Sequence, residues 1–443
     1  MSAEERFLEV IEEEEDEEPV APGWRERQRQ RLQGKNRAQI ERFLGKGSRT
    51  NVSGILPRYY GELLTWALHR HLEREIWRIA STLGYRGPEP VYAEVNTGSE
   101  TVNLIMDGQM LVARGDSRFI VTMDVNPRWR GSVQLEGLAG EKEEMAEFVA
   151  AVLAIAEKEN LYRGKKIEFS GRIRFLDIKD RSWDSIVLDG ETKAEIKANT
   201  VGFLRRSGEW SRYGIPLRRG ILLAGEPGMG KTIICKALMA EAGGITCITT
   251  NGYALDDDDY VTELYELAQD LSPSIVFIED IDLIGQSRVE FGYQRGPALL
   301  SLLSVMDGVE EQKEVVTIAT TNCLETLDKA LSERPSRFDR VIKLTRPSIE
   351  QRRELVRSLC GKIPLNADTK EYLARRADNC TPAQLQEIVF SLVIQCPAEP
   401  SEPTFNEDDI DRAISRIHDI NRHRLGFNST SNHNGHKLAI PTL

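Results

Sequence analysis

Gly225-Glu226-Pro227-Gly228-Met229-Gly230-Lys231-Thr232 is the stretch on which the reading of this chain turns. It has the form G-x-x-x-x-G-K-[ST] and lies between an apolar run, Gly220 to Ala224, that reads as a strand, and a following helix. Glycines at these positions let backbone N–H groups turn inward around phosphate oxygens, and the helix adds the positive end of its dipole. Lys231 supplies a point charge for β- and γ-phosphate oxygens, and the Thr232 hydroxyl suits a Mg²⁺ ligand. Gly225, Glu226, Pro227, Gly228, Met229, Gly230, Lys231, Thr232 and Ile233 are therefore the candidate nucleotide-binding residues.

Moving outward, Ser274-Ile-Val-Phe-Ile-Glu279-Asp280-Ile-Asp282 is a β-rich apolar run that ends in carboxylates. A strand end of a parallel α/β sheet delivers such acids into the ligand crevice. One acid holds Mg²⁺ and its neighbour orients or deprotonates the attacking water. We place Glu279 on the metal, beside Thr232, and Asp280 on the water, leaving their division of labour open. Short strands at about 245–249, 274–279 and 315–320 alternate with helices, the pattern of a parallel sheet.

Tyr213 to Thr232, with the Phe277-Ile-Glu-Asp-Ile-Asp282 run, resembles the AAA ATPase family, and the similarity extends over roughly Trp183 to Arg424. The resemblance implies ATP hydrolysis with Mg²⁺ in a homo-oligomeric ring of six or seven subunits. It puts a polar sensor at Asn322, closing Val315-Val-Thr-Ile-Ala-Thr-Thr-Asn322, and arginine fingers at Arg334 and Arg337 within Leu327 to Arg340. Such fingers act on a neighbour's nucleotide; the same arginines could instead pair with Glu333 or Asp339. The acid order Glu279-Asp280 departs from the family's Asp-Glu and is similar to relatives of the mitochondrial Rieske-protein translocase. Where unfolding rings carry an aromatic-hydrophobic-glycine element, this chain reads Thr250-Asn-Gly-Tyr-Ala-Leu-Asp-Asp-Asp-Asp-Tyr260, so Tyr253 or Tyr260 is left to grip a chain past four aspartates. Thr381-Pro-Ala-Gln-Leu385 stands where many members have a lid turn, and no HExxH metalloprotease helix occurs in these residues.

Apolar residues at 40% and charged residues at 29% fit a globular chain, and the net charge of −12 argues against a general nucleic-acid binder. Neither a secretory signal nor a membrane-spanning run is visible, so a cytoplasmic protein without membrane insertion is expected. Six cysteines without CxxC spacing read as buried reduced thiols. The expected organisation is a disordered acidic then basic arm over 1–53, an α+β partner-binding domain over 54–178, an α/β core over 179–346, a helical lid over 347–425 and a disordered tail over 426–443. The first folded element is a helix over Arg58 to Leu83. The fold class is thus α/β, a P-loop parallel sheet flanked by helices with a helical lid, behind a small α+β domain. The expected function is chaperone-like remodelling, unfolding or translocation of a protein partner. A nucleotide-dependent switch with little turnover is the alternative, as is a nucleic-acid remodeller using the basic arm at Trp24 to Arg49.

Overall fold

Gly131-Ser-Val-Gln-Leu-Glu-Gly-Leu138 alternates buried and half-buried residues along its whole length, as a strand with one face in a core must. It is one strand of a structure, a computed structural model, that describes residues 36–125, 131–178, 182–255, 258–284, 302–306, 313–324, 338–361, 365–394 and 405–425. The strands of its sheet are β1 (Arg49–Leu56), β2 (Arg78–Leu83), β3 (Val91–Asn96), β4 (Thr101–Arg114), β5 (Ser117–Asp124) and β6 (Gly131–Leu138). They run in the order β1-β6-β5-β4-β2, and β3 pairs with the first half of β4. The described pairings are antiparallel, with Asn51 opposite Glu136 and Thr122 opposite Gln134.

Helices Gly61–Arg74 and Lys142–Lys158 pack on this sheet and bury Leu64, Leu68, Val149 and Val152. Gly54 on β1 permits that approach, since a Cβ there would sit 2.7 Å from Val149 Cγ1. Phe148 is the hub of an aromatic cluster, with His71 at 4.4 Å, Trp77 at 5.3 Å and Phe119 at 6.3 Å between ring centroids. Burial in that apolar setting pushes the His71 imidazole below the usual histidine range.

Two segments differ from the sequence expectation. The helix expected over 58–83 stops at Arg74; Ile76 takes a left-handed φ of 55° and the chain returns as β2. Ile79 and Leu83 satisfy the helical spacing and a strand equally, and pairing with β4 decides between them. Residues 36–44, assigned to the basic arm, are helical, because Ile40 and Leu44 find an apolar seat against Ile120.

The second sheet contains β7 (Lys166–Phe169), β8 (Ile173–Phe175), β9 (Arg218–Ala224), β10 (Thr246–Asn251), β11 (Ser274–Glu279), β12 (Val315–Thr321) and β13 (Arg340–Lys343), in the order β13-β9-β12-β11-β10-β7-β8. β13 is parallel to β9 and β10 to β7, while β8 turns back antiparallel. All of β12 and nearly all of β11 are buried, as strands of a sheet covered on both faces are. Two helices, Gly190–Asn199 and Val201–Arg205, meet at Thr200. Asp189 caps the first of these by accepting from Thr192 N at 2.7 Å.

Helices Ile349–Leu359, Ala367–Arg376, Pro382–Ile394 and Glu407–Leu425 follow and share a core of Val356, Leu373, Leu385, Ile388 and Ile410. The fold class is therefore the expected one: an antiparallel α+β sheet, then a mostly parallel sheet with helices, then a helical segment. Two compact units emerge, each discontinuous in sequence: 1–177 with 242–277 and 284–315, and 178–241 with 278–283 and 316–443. No described helix is long and apolar enough to cross a membrane.

Truncating Phe148 to Ala should lower stability by about 3–5 kcal/mol through the cavity it leaves. Breaking the exposed Arg74–Glu159 pair by Arg74→Ala should shift the midpoint far less. Urea unfolding of the full chain followed by tryptophan fluorescence checks both.

Candidate nucleotide site

The loop after β9 reverses direction through two glycines, Gly228 at φ 85° and Gly230 at φ 89°, a left-handed backbone that side chains with a Cβ rarely adopt. Helix Lys231–Glu241 then begins. The base of the loop is tied down where Gly225 N donates to Thr321 O at 3.2 Å, and Gly225 passes so near Leu344 O that a Cβ would lie 3.1 Å from it. Its tip meets the helical segment: Ala383 N donates to Gly228 O at 3.1 Å, and a Cβ on Gly228 would meet Thr381 Oγ1 at 2.9 Å. Thr381 and Gln384 form a capping box, Thr381 N to Gln384 Oε1 at 2.8 Å and Gln384 N to Thr381 Oγ1 at 3.3 Å, that fixes this turn.

Lys231 is only 7% exposed. Its Nζ donates to Gly225 O at 2.6 Å, Glu226 O at 3.1 Å and Asn322 Oδ1 at 2.7 Å, all neutral oxygens. Burial draws its ammonium below the usual lysine range, against the opposing pull of Asp280 and Asp282. Asn322 continues the chain of bonds, its Nδ2 donating to Asp280 Oδ1 at 2.9 Å. Thr232 Oγ1 donates to Glu279 Oε2 at 3.0 Å.

Asp280 has a left-handed φ of 51°, held where its N–H donates to Thr320 Oγ1 at 3.0 Å. Aspartate tolerates that region better than most residues, and such backbone strain clusters at functional sites.

Gly225, Lys231, Thr232, Glu279, Asp280 and Asn322 thus form one hydrogen-bonded assembly, all of it within the second unit. Of the other loop residues, Met229 is buried, whereas Glu226, Pro227 and Ile233 are exposed. Arg334 and Arg337 lie outside the described residues, as do Asp256 and Asp257 of the acidic run. Tyr253 is 58% exposed, while Tyr260 is half-buried with the Arg58 guanidinium 4.8 Å above its ring.

Sequence reasoning missed four contributors. Asp282 Oδ1 accepts from Thr321 Oγ1 at 2.8 Å and Asn322 N at 3.2 Å, holding the strand end that presents Asn322. Its place in the acidic run was the available signal. Thr381 and Ala383 belong to the turn already singled out, but their approach to Gly228 has no local signature. Arg346 donates to Glu226 Oε2 from Nη2 at 2.6 Å and from Nε at 3.2 Å, across 120 residues.

With this geometry in place, comparison with known proteins is direct. Residues 221–346 match the family "ATPase family associated with various cellular activities (AAA)". The chain carries an AAA ATPase domain. Such a domain binds ATP at its phosphate loop, and its chemistry is ATP hydrolysis with Mg²⁺.

The chain is 34% identical over 245 residues to an ATP-dependent zinc metalloprotease FtsH of Burkholderia pseudomallei (strain 1710b), covering 53% of this chain and 36% of that protein. It is 33% identical over 239 residues to FtsH 3, also an ATP-dependent zinc metalloprotease, of Sorangium cellulosum (strain So ce56), covering 51% of this chain and 39% of the relative. The chain thus spans well under half the length of either relative.

Gly228→Ala should strain the AAA domain's loop and push Thr381 and Ala383 away, weakening nucleotide binding by at least about tenfold. Titration with a fluorescent ATP analogue measures it, with Gly140→Ala, where an added Cβ meets nothing within 4 Å, as the control.

Proposed function

We propose that this chain is a Mg-ATP-hydrolysing AAA motor that acts as a homo-oligomeric ring to remodel, unfold or translocate a protein partner. The observation that carries the nucleotide part is Lys231: a nearly buried ammonium whose described hydrogen bonds all end on neutral oxygens. A cation so placed keeps its charge for an incoming anion, and the loop around it is curved by glycines as a phosphate cradle requires.

The residues fit the group. Lys231 and the main-chain N–H groups of 225–232 would hold the phosphates, while Thr232 and Glu279, already bonded to each other, would hold Mg²⁺. Bound Mg²⁺ supplies charge neutralisation at the phosphoryl oxygens. The Asp280 carboxylate would orient the attacking water and take its proton, aimed by Asn322 Nδ2 through Oδ1. Arg334 and Arg337 complete a neighbour's site in the ring, as the AAA resemblance implies. The order Glu279-Asp280 allies the domain with relatives of the mitochondrial Rieske-protein translocase.

The division of labour goes with the expected segments: 54–178 selects the partner, 179–346 hydrolyses, and 347–425 transmits the change. What the metalloproteases named above do with ATP is theirs; the partner of this chain is proposed only as a protein. The net charge of −12 disfavours nucleic acid as that partner.

Phosphate release from Mg-ATP by the full-length chain is the test. Lys231→Ala should abolish it, chelation of Mg²⁺ should do the same, and Asp280→Asn should retain binding while turnover falls by about 10²–10⁴-fold. Asparagine is the informative replacement, because it also tolerates φ 51° and still offers Asn322 an acceptor. Mixing inactive Lys231→Ala with inactive Arg337→Ala should restore activity if sites are shared between subunits. Tight ATP binding with no turnover in the wild-type chain would replace the motor by the nucleotide-dependent switch.

A further inference from the structure

Glu226 is a carboxylate of the candidate phosphate loop, a charge of the same sign as the triphosphate that the loop would receive. The structure supplies the neutralising group. Arg346 directs two donors at one oxygen of Glu226, Nη2 at 2.6 Å and Nε at 3.2 Å. Its remaining arm is fixed too, with Nη1 donating to Asn379 O at 2.7 Å, and Asn379 holds a left-handed φ of 60° at the turn that leads to Thr381. Three donors of one planar guanidinium are thereby engaged, a geometry lysine does not reproduce.

Both side chains are about half exposed, at 44% for Arg346 and 57% for Glu226. A pair this open contributes little to fold stability. Its consequence therefore lies in the charge presented to a ligand.

We propose that Arg346 is a positioning residue of the nucleotide site, which neutralises the phosphate loop's own carboxylate and draws it toward Asn379. This rests on the nucleotide reading above and adds a residue and a role to it. Removing Arg346 leaves the Glu226 carboxylate without its cationic partner; removing the carboxylate as well makes the arginine dispensable.

The test is a double-mutant cycle on the full chain, with N-methylanthraniloyl-ATP and Mg²⁺ as the probe. Arg346→Ala should weaken binding by about tenfold at low ionic strength, raising KM more than it lowers kcat. Glu226→Gln, which keeps the backbone carbonyl that accepts from Lys231, is the reference against which the double variant is compared. The double variant should recover to within about threefold of Glu226→Gln, a non-additivity that independent sites do not show. Arg346→Lys should fall between wild type and Arg346→Ala.

A double variant as weak as Arg346→Ala overturns the proposal, because the arginine would then act on something other than Glu226. Unchanged affinity in Arg346→Ala overturns it as well. Recovery in the double variant itself excludes misfolding, and thermal melting midpoints of all four proteins provide the independent check. Failure of folded wild-type protein to bind the probe removes the nucleotide reading, whereas binding that is lost in Lys231→Ala but indifferent to Arg346 removes this inference alone.

Discussion

Burying an ammonium group is costly unless its donors are satisfied, and at Lys231 the described hydrogen bonds meet that condition with neutral oxygens. Two carbonyls come from the loop that the lysine itself terminates, which forces the loop to curl back over its own helix. Glycine at 228 and 230 makes that curl possible. The third acceptor comes from Asn322, and its position depends on β12, whose end is held by Asp282 and whose Thr321 carbonyl anchors Gly225. A direct ion pair would have satisfied the lysine more simply, but an arriving phosphate would then have to displace a carboxylate. Neutral acceptors avoid that competition.

The acid pair follows from the same geometry. Glu279 is the last residue of β11, and its longer side chain spans to the Thr232 hydroxyl at 3.0 Å. Asp280 is shorter and sits where the strand has already turned left-handed, so its carboxylate meets the Asn322 amide. The order Glu then Asp therefore has a physical rationale here: the residue more tolerant of positive φ occupies the strained position. Lys231, Asn322 and Asp280 form one continuous hydrogen-bonded path, so a change of charge at the lysine end alters the field felt at the aspartate.

How much of this was legible in the sequence depends on how local each feature is. The phosphate loop and the β11 and β12 strands are contiguous runs whose residues act together, and they were read directly, as was the α/β class with an α+β segment ahead of it. Asn322 came from a family resemblance, because an asparagine at a strand end carries no signature of its own. The helix over 58–83 was read too long, since Ile79 and Leu83 meet a helical period by coincidence and only the pairing with β4 shows the strand. β7, β8 and β13 have four, three and four residues, too few for any period to register. Arg346 was invisible for a different reason: its partner lies 120 residues away, and neither residue type is unusual at a surface.

The helical segment completes the arrangement through contacts of modest individual strength. Its own core is deep, with Leu373, Leu385, Ile388 and Val389 fully buried, so the four helices hold together independently of the loop. Toward the loop, the described contacts are of another kind: the Ala383 N–H on Gly228 O, the van der Waals approach of Thr381, and the half-exposed Arg346 linking Glu226 to Asn379. Each such contact stabilises by about 1 kcal/mol or less in partly exposed settings. A segment with its own buried core, joined to the phosphate loop through such contacts, costs less to shift against that loop than to unfold. Placing the adjustable contacts at Gly228 and Glu226, beside Lys231, puts the compliance of the domain next to its chemistry.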